Sequence, residues 1–167
     1  PASVTALVDR AIETMGGIDI LVNNVGGGAQ AAVDQAHGRL AELVADWDGT
    51  YRLTLRAPVL MSEAVAPHFQ ERKSGRIVNI GSNAGRYTAS EKVLAHVSTP
   101  QYAAMKTAIS SYSQTMARRL GPYGVTVNCV CPGIVLTDSW RGTSRRIVEQ
   151  VEEFGGKTPE AWFEGIA

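Results

Sequence analysis

Tyr102 and Lys106, in the stretch Tyr-Ala-Ala-Met-Lys, stand four positions apart. On a helix that spacing puts a phenol and an ammonium on one face. An isolated tyrosine has a pKa of about 10 and exchanges protons poorly near neutrality. A fixed positive charge beside it favours the phenolate and makes the pair a candidate proton-transfer catalyst. The same two residues also describe an ordinary surface pair, so the pattern takes its meaning from its surroundings.

Three further segments accompany it in a fixed order. Ile18-Asp19-Ile20-Leu21-Val22-Asn23-Asn24-Val25-Gly26 is an apolar run ending in two amides and a glycine. Gly75-Arg76-Ile77-Val78-Asn79-Ile80-Gly81-Ser82 is a second, ending in a hydroxyl. Beyond the Tyr/Lys pair, Gly124-Val125-Thr126-Val127-Asn128-Cys129-Val130-Cys131-Pro132-Gly133 is a third, followed by Ile134-Val135-Leu136-Thr137-Asp138. Together these blocks resemble the short-chain dehydrogenase/reductase family. They match its Asn-Asn-Ala-Gly motif with Val25 in place of alanine, its serine after the fifth strand, its Tyr-x-x-x-Lys, and its Pro-Gly turn with a following threonine. The similarity runs from the first residue to about Asp138.

The resemblance implies an α/β fold, a partial Rossmann-like, doubly wound parallel sheet with helices on both faces. It also implies an NAD- or NADP-dependent oxidoreductase acting on a secondary alcohol, polyol or ketone. By that likeness Ser82 hydrogen-bonds the substrate oxygen, Tyr102 exchanges a proton with it, and Lys106 lowers the tyrosine pKa while holding the nicotinamide ribose. The cofactor carries the hydride. Asn23, Val25 and Gly26 shape the wall along it, Pro132, Gly133 and Val135 belong to the same cofactor-facing set, and Thr137 lies near the nicotinamide amide. For Asn23 and Asn128 a role in tying strands and loops through side-chain hydrogen bonds stands beside the functional one, and is preferred for Asn128.

Two features depart from the family pattern. Aligning Trp47-Asp48 with the family puts Thr54 where a catalytic asparagine commonly sits, and a hydroxyl there is a candidate member of a water relay to the lysine. The stretch from Ser82 to Tyr102 is also longer than usual, with Arg86 to Thr99 reading as an inserted loop. Ser90 and Ser98 are therefore rival hydroxyl donors. Ser82 is favoured because it alone follows a strand in an Ile-Gly-Ser context.

The elements that must position these groups alternate along the chain. Val4, Leu7, Val8, Ala11 and Ile12 recur at helical spacing over 3–15, and Gly16-Gly17 ends that segment. A strand over 18–24 follows. Leu40, Leu43, Val44 and Trp47 suggest a short helix, and residues 53–69 a long one that Pro58 kinks. The β-branched runs 75–81 and 124–131 lack strict alternation, as expected of strands covered on both faces. Between them lies the Tyr/Lys helix, 101–120. Such βαβ repetition predicts a parallel sheet with reactive residues at the C-terminal strand ends.

Only seventeen residues precede Ile18, too few for the family's glycine-rich Thr-Gly-x-x-x-Gly-x-Gly phosphate loop. Gly26-Gly27-Gly28 does not replace it. The expectation is an internal piece of a longer dehydrogenase: a single partial domain over 1–167, inactive by itself and lacking the phosphate loop and the C-terminal strand. A non-catalytic interaction or regulatory module that has lost dinucleotide binding is the alternative. Residues 139–167 fall where the family closes a lid over its substrate. Trp140, Phe154, Trp162 and Phe163 give that segment an apolar face, and Thr158-Pro159-Glu160 reads as a helix start.

Lys+Arg and Asp+Glu each number 16, so no net positive field draws nucleic acid or an anionic membrane. No apolar run approaches the roughly 20 residues that cross a bilayer. Cys129 and Cys131 have no partners at a zinc-site spacing and read as reduced, buried thiols. A cytoplasmic protein is expected, with a small-molecule substrate and no metal. The resemblance adds a homo-oligomer, a tetramer, built by pairing the helix near 50–70 and the Tyr/Lys helix with their copies.

Overall fold

The computed structural model describes residues 2–26, 47–87, 100–135 and 137–165. Helix α1 (Ala2–Met15) ends at Gly16, whose φ of 75° turns the chain towards strand β1 (Ile20–Asn23). A helical run over 47–51 leads into a π turn, Arg52–Arg56, and then into helix α2 (Ala57–Arg72). The distortion expected at Pro58 takes this form. Ala57 N–H reaches the carbonyl of Arg52, five residues back, and Pro58 has no N–H with which to restore the tighter ladder. Strand β2 (Gly75–Ile80), helix α3 (Pro100–Leu120) and strand β3 (Val125–Val130) complete the main body. The predicted elements are present, most with ends moved by a residue or two; the long helix expected over 53–69 instead runs over Ala57–Arg72 because the π turn takes its first residues, and β1 is shorter than expected at both ends. Residues 40–46 of the predicted short helix lie outside the described residues.

The sheet has the order β1-β2-β3 and both pairings are parallel, with Val78 between Val22 and Asn128, and Asn79 between Asn23 and Cys129. Successive strand residues point to opposite faces. On one face Ile77, Val125 and Val127 pack with Val8 of α1, Val65, Ala66 and Phe69 of α2, and Met116 and Leu120 of α3. All three helices therefore cover the same face. On the other, Ile20, Val22, Thr126, Asn128 and Val130 are exposed, so among the described residues these helices realise the doubly wound arrangement on one side only. Asn128 stands on this open face, away from the helices that the strands lean on.

Polar contacts fix how α2 sits. At its C-terminal end, Arg72 pairs with Asp19 at 2.9 Å and His68 Nε2 meets Ile18 N at 3.1 Å, holding the entry to β1. Further up, Glu63 accepts from Tyr112 Oη at 3.0 Å and pairs with Arg119 of α3. Burial and the Glu63 carboxylate push the Tyr112 phenol well above its ordinary range.

Residues beyond β3 form a small cluster of their own. Helix α4 (Asp138–Gln150) and helix α5 (Pro159–Glu164) bury Ile147, Val151 and Trp162, with Trp140, Val148, Phe154 and Phe163 packed against them. Phe154 meets Trp162 nearly edge-on at 6.1 Å. The predicted start of α5 is present: Thr158 Oγ1 accepts from Ala161 N–H at 3.1 Å, and Pro159 opens the first turn. The aromatic face of the expected lid is thus closed on itself.

Candidate active site

Lys106 is buried, on the face of α3 turned towards the C-terminal end of β2. Its Nζ donates to the Ile80 carbonyl at 2.5 Å and lies 5.6 Å from the centroid of the Tyr102 ring, within range of a cation–π contact. The i, i+4 spacing therefore brings ammonium and phenol together. Burial lowers the Lys106 pKa, partly offset by the Cys129 and Cys131 thiols nearby. Exchanging bulk water for one carbonyl and an aromatic face disfavours the charged form.

Gly26, just past β1, lies against this ammonium. A Cβ on Gly26 would stand 3.4 Å from Lys106 Nζ and 3.7 Å from Thr54 Oγ1, so the missing side chain leaves a notch that both groups border. Thr54 is fully buried in the π turn. That wide turn sits beside the site, as such bulges frequently do.

Ser82 leaves β2 in an extended conformation and caps a 3₁₀ turn over Asn83–Gly85, its Oγ accepting from Ala84 N–H at 3.1 Å. A hydroxyl has one donor and two acceptor positions, so this cap leaves its O–H able to serve another oxygen. The turn is pressed onto α3: a Cβ on Gly85 would lie 2.8 Å from Thr107 N and 2.9 Å from Lys106 C, and Thr107 Oγ1 donates to the Gly85 carbonyl at 2.8 Å. It is joined to the loop after β3 by Asn83 N–H, which donates to the Pro132 carbonyl at 2.9 Å. Gly133 faces Asn83 Nδ2. The loops after all three strands converge on the N-terminal half of α3.

The remaining sequence candidates divide. Asn23 turns its side chain inward: Nδ2 donates to Asn79 Oδ1 at 2.8 Å and to Ser62 Oγ at 3.0 Å, and lies 3.4 Å from the Pro58 carbonyl. Asn79 Nδ2 then donates to Ser113 Oγ at 2.8 Å, which donates to the Ile109 carbonyl at 2.7 Å. This buried relay ties β1, β2, α2 and α3 together, so the Asn23 amide is occupied as a structural tie. Val25 and Val135 are exposed in the loops after β1 and β3, and Thr137 caps α4 by accepting from Trp140 N–H at 3.3 Å. Ser90 and Ser98 lie outside the described residues. Sequence reasoning passed over Asn79, Ser62 and Ser113, whose relation depends on register, and Gly85, whose only signal was its place three residues after Ser82. Among the described residues no group of three or more His, Cys, Asp or Glu is placed to hold a metal ion.

A model of the short chain dehydrogenase family matches residues 1–147. The (2S)-[(R)-hydroxy(phenyl)methyl]succinyl-CoA dehydrogenase subunit BbsD of Thauera aromatica is 39% identical over 139 residues, covering 83% of this chain and 50% of that protein. The cyclohexanol dehydrogenase of Rhodococcus sp. (strain TK6) is 36% identical over 132 residues, 78% of this chain and 46% of its own length. Among solved structures, a gluconate 5-dehydrogenase from Burkholderia cenocepacia J2315 in complex with NADP and tartrate superposes with a TM-score of 0.71 at 28% identity, covering 92% of this chain and 53% of that one. The chain thus spans about half the length of the curated relatives it matches. With the parallel sheet, the converging loops and a family match across all three strands and the Tyr/Lys helix, this chain belongs to the short-chain dehydrogenase family.

Proposed function

We propose that this chain supplies the catalytic half of an NAD- or NADP-dependent oxidoreductase interconverting a secondary alcohol or polyol and a ketone. One observation carries the reading: a buried ammonium beside a phenol, facing a notch left open by Gly26 at the C-terminal end of a parallel sheet. That is where open α/β sheets take their ligands. A nicotinamide group suits the place, because a side chain at Gly26 would fill the space that Lys106 and Thr54 border. Gly26 and Lys106 would hold it, with Val25, Pro132, Gly133, Val135 and Thr137 along its length. Relatives named for dehydrogenation of alcohols, and one solved with NADP, support this choice.

When bound, such a cofactor exchanges a hydride with the substrate carbon. The protein then has to place that carbon and manage one proton. In oxidation Tyr102 accepts the hydroxyl proton as the carbon loses its hydride; in reduction it returns that proton to the carbonyl oxygen. Lys106 supplies positive charge beside the ring, and the Ser82 hydroxyl donates to the substrate oxygen. Thr54, buried between Gly26 and α3, offers a hydroxyl to a water chain reaching the lysine. The same reading places the protein in the cytoplasm as a homotetramer. Tyr51, Leu55, Val59 and Leu60 border a shallow apolar hollow with Ala108 and Tyr112 of α3, a surface suited to a second copy of this helix pair.

The test is steady-state turnover of the whole protein on a panel of secondary alcohols, polyols and ketones, followed by absorbance of the reduced nicotinamide. Tyr102→Phe should lower kcat by about 10²–10⁴-fold with little change in cofactor Kd, whereas Lys106→Ala should damage both. Near-normal turnover of Tyr102→Phe would remove the tyrosine from the mechanism.

A further inference from the structure

Cys129 and Cys131 are the chain's two cysteines, and nothing in the proposed chemistry uses them. They stand two residues apart where β3 ends, and alternation sends both side chains to the same face. Their Sγ atoms are 4.0 Å apart, and both thiols are half-buried. The two sulfurs share a recess over Gly81: a Cβ there would lie 2.8 Å from Cys131 Sγ and 2.9 Å from Cys129 Sγ. Between the two cysteines, the Val130 carbonyl accepts from Gly81 N–H at 2.7 Å. The pair therefore borders the backbone that leads directly into Ser82.

We propose that Cys129 and Cys131 form an oxidisable dithiol that closes to a disulfide by exchange with a small-molecule disulfide, and that closure loosens the Gly81–Val130 junction beside the candidate active site. Two rises of an extended strand span about 6.6 Å, near the upper end of the Cα separations a disulfide tolerates. The sulfurs must approach by about 2 Å, and the strand end must pucker at Val130 to let them. A bond formed at that limit belongs with the labile, regulatory disulfides rather than the structural ones. Cys131 lies just beyond the end of β3, outside the strand ladder, and makes the first attack. Its thiolate displaces one thiol from the small disulfide to give a mixed disulfide. Cys129, losing its proton, then attacks the Cys131 sulfur and expels the second thiol. Overall, two protein thiols are oxidised to one disulfide and one small disulfide is reduced to two thiols.

The experiment titrates the native whole protein with oxidised glutathione, reading peptide-mapped mass and amide hydrogen exchange. The expected product joins Cys129 to Cys131, lowers the mass by about 2 Da without retained glutathione, and raises exchange at Gly81. Cys129→Ser should instead hold one glutathione at Cys131. Glutathione retained on both cysteines, two free thiols at a poise that oxidises an ordinary dithiol, or unchanged Gly81 exchange once the bond has formed would each overturn the proposal. None of these readouts requires the protein to be an oxidoreductase, so failure here and failure of the catalytic reading are separable.

Discussion

Replacing Asn79 by alanine should cost far more stability than its place in the middle of a family strand suggests. Its side chain accepts from Asn23 Nδ2 at 2.8 Å and donates to Ser113 Oγ at 2.8 Å, fully buried between β2 and the helices. Two buried hydrogen bonds contribute about 1 kcal/mol each, and the truncation adds a cavity and a weakened Asn23 amide, for a total of about 2–4 kcal/mol. The Asn23 amide keeps Ser62 and the Pro58 carbonyl, and Ser113 keeps the Ile109 carbonyl, which holds the loss below the sum of full desolvation penalties. Against a total stability of about 5–15 kcal/mol this is a large fraction. In a chain of this size it lowers Tm by about 5–15 °C. The assay is urea and thermal unfolding of the whole protein carrying Asn79→Ala, Asn23→Ala and both together. Because the two side chains share a bond, the double variant should lose less than the sum of the singles. Nicotinamide binding gives the second arm: Asn23→Ala should lower Tm while leaving cofactor Kd within about threefold, about 0.7 kcal/mol. A tenfold weaker Kd with unchanged Tm would refute the structural assignment and return Asn23 to the cofactor wall.

Thr54→Val keeps the shape of a buried side chain and removes its hydroxyl; turnover should fall and its pH profile shift, and identical profiles would mean the position carries no relay. Thr54→Asn places an amide beside the Gly26 notch and should be tolerated, with turnover at or above the parent's; a loss of about 1–3 kcal/mol in urea unfolding would show instead that the buried position has no space for it. Gly85→Ala drives a Cβ to 2.8 Å from the backbone of α3 and should cost about 1–3 kcal/mol with a raised cofactor KM, read by melting and kinetics. Because burial lowers the Lys106 pKa from its ordinary 10.5, the unfolded chain binds more protons between the lowered value and the ordinary one. This group's contribution to stability therefore rises with pH across that window. Lys106→Met should flatten the rise in a pH series of urea melts.

The alternation of helix and parallel strand, the helix face shared by Tyr102 and Lys106, and the capped start at Thr158 were legible in the sequence, because each rests on local spacing or local hydrogen bonding. Pro58 announced a disturbance but not its form. A missing donor can yield a kink, a break or a π turn, and the choice depends on what the neighbouring helix tolerates. The Asn23 amide was legible as a polar group at a strand end, yet its direction was not. Asn23 meets Asn79 through the β1–β2 register, Ser62 arrives from a helix 39 residues along the chain from Asn23, and Ser113 from one 34 residues along from Asn79. Trp140, Phe154, Trp162 and Phe163 read as an apolar face; what they cover, each other, follows from the turn between α4 and α5.

Groups with no proposed chemistry set the geometry of those proposed to carry it. Lys106 reaches the Ile80 carbonyl beside a turn after Ser82 that lies against α3, and Gly85 permits that close approach by presenting no Cβ to the backbone of Lys106 and Thr107. With the turn seated, the Ser82 hydroxyl is oriented by its own cap, and Asn83 carries the position of the turn across to Pro132. Gly26 does the same from β1, presenting no Cβ beside the ammonium. A motif written as Tyr, Lys and Ser therefore under-describes the site. Substituting a glycine should disturb Lys106 as surely as shortening the lysine, but by a different signature: Gly85→Ala moves Tm and cofactor KM together, whereas Lys106→Met leaves the turn seated and removes the charge. Kinetics and melting measured on the same two variants separate position from chemistry.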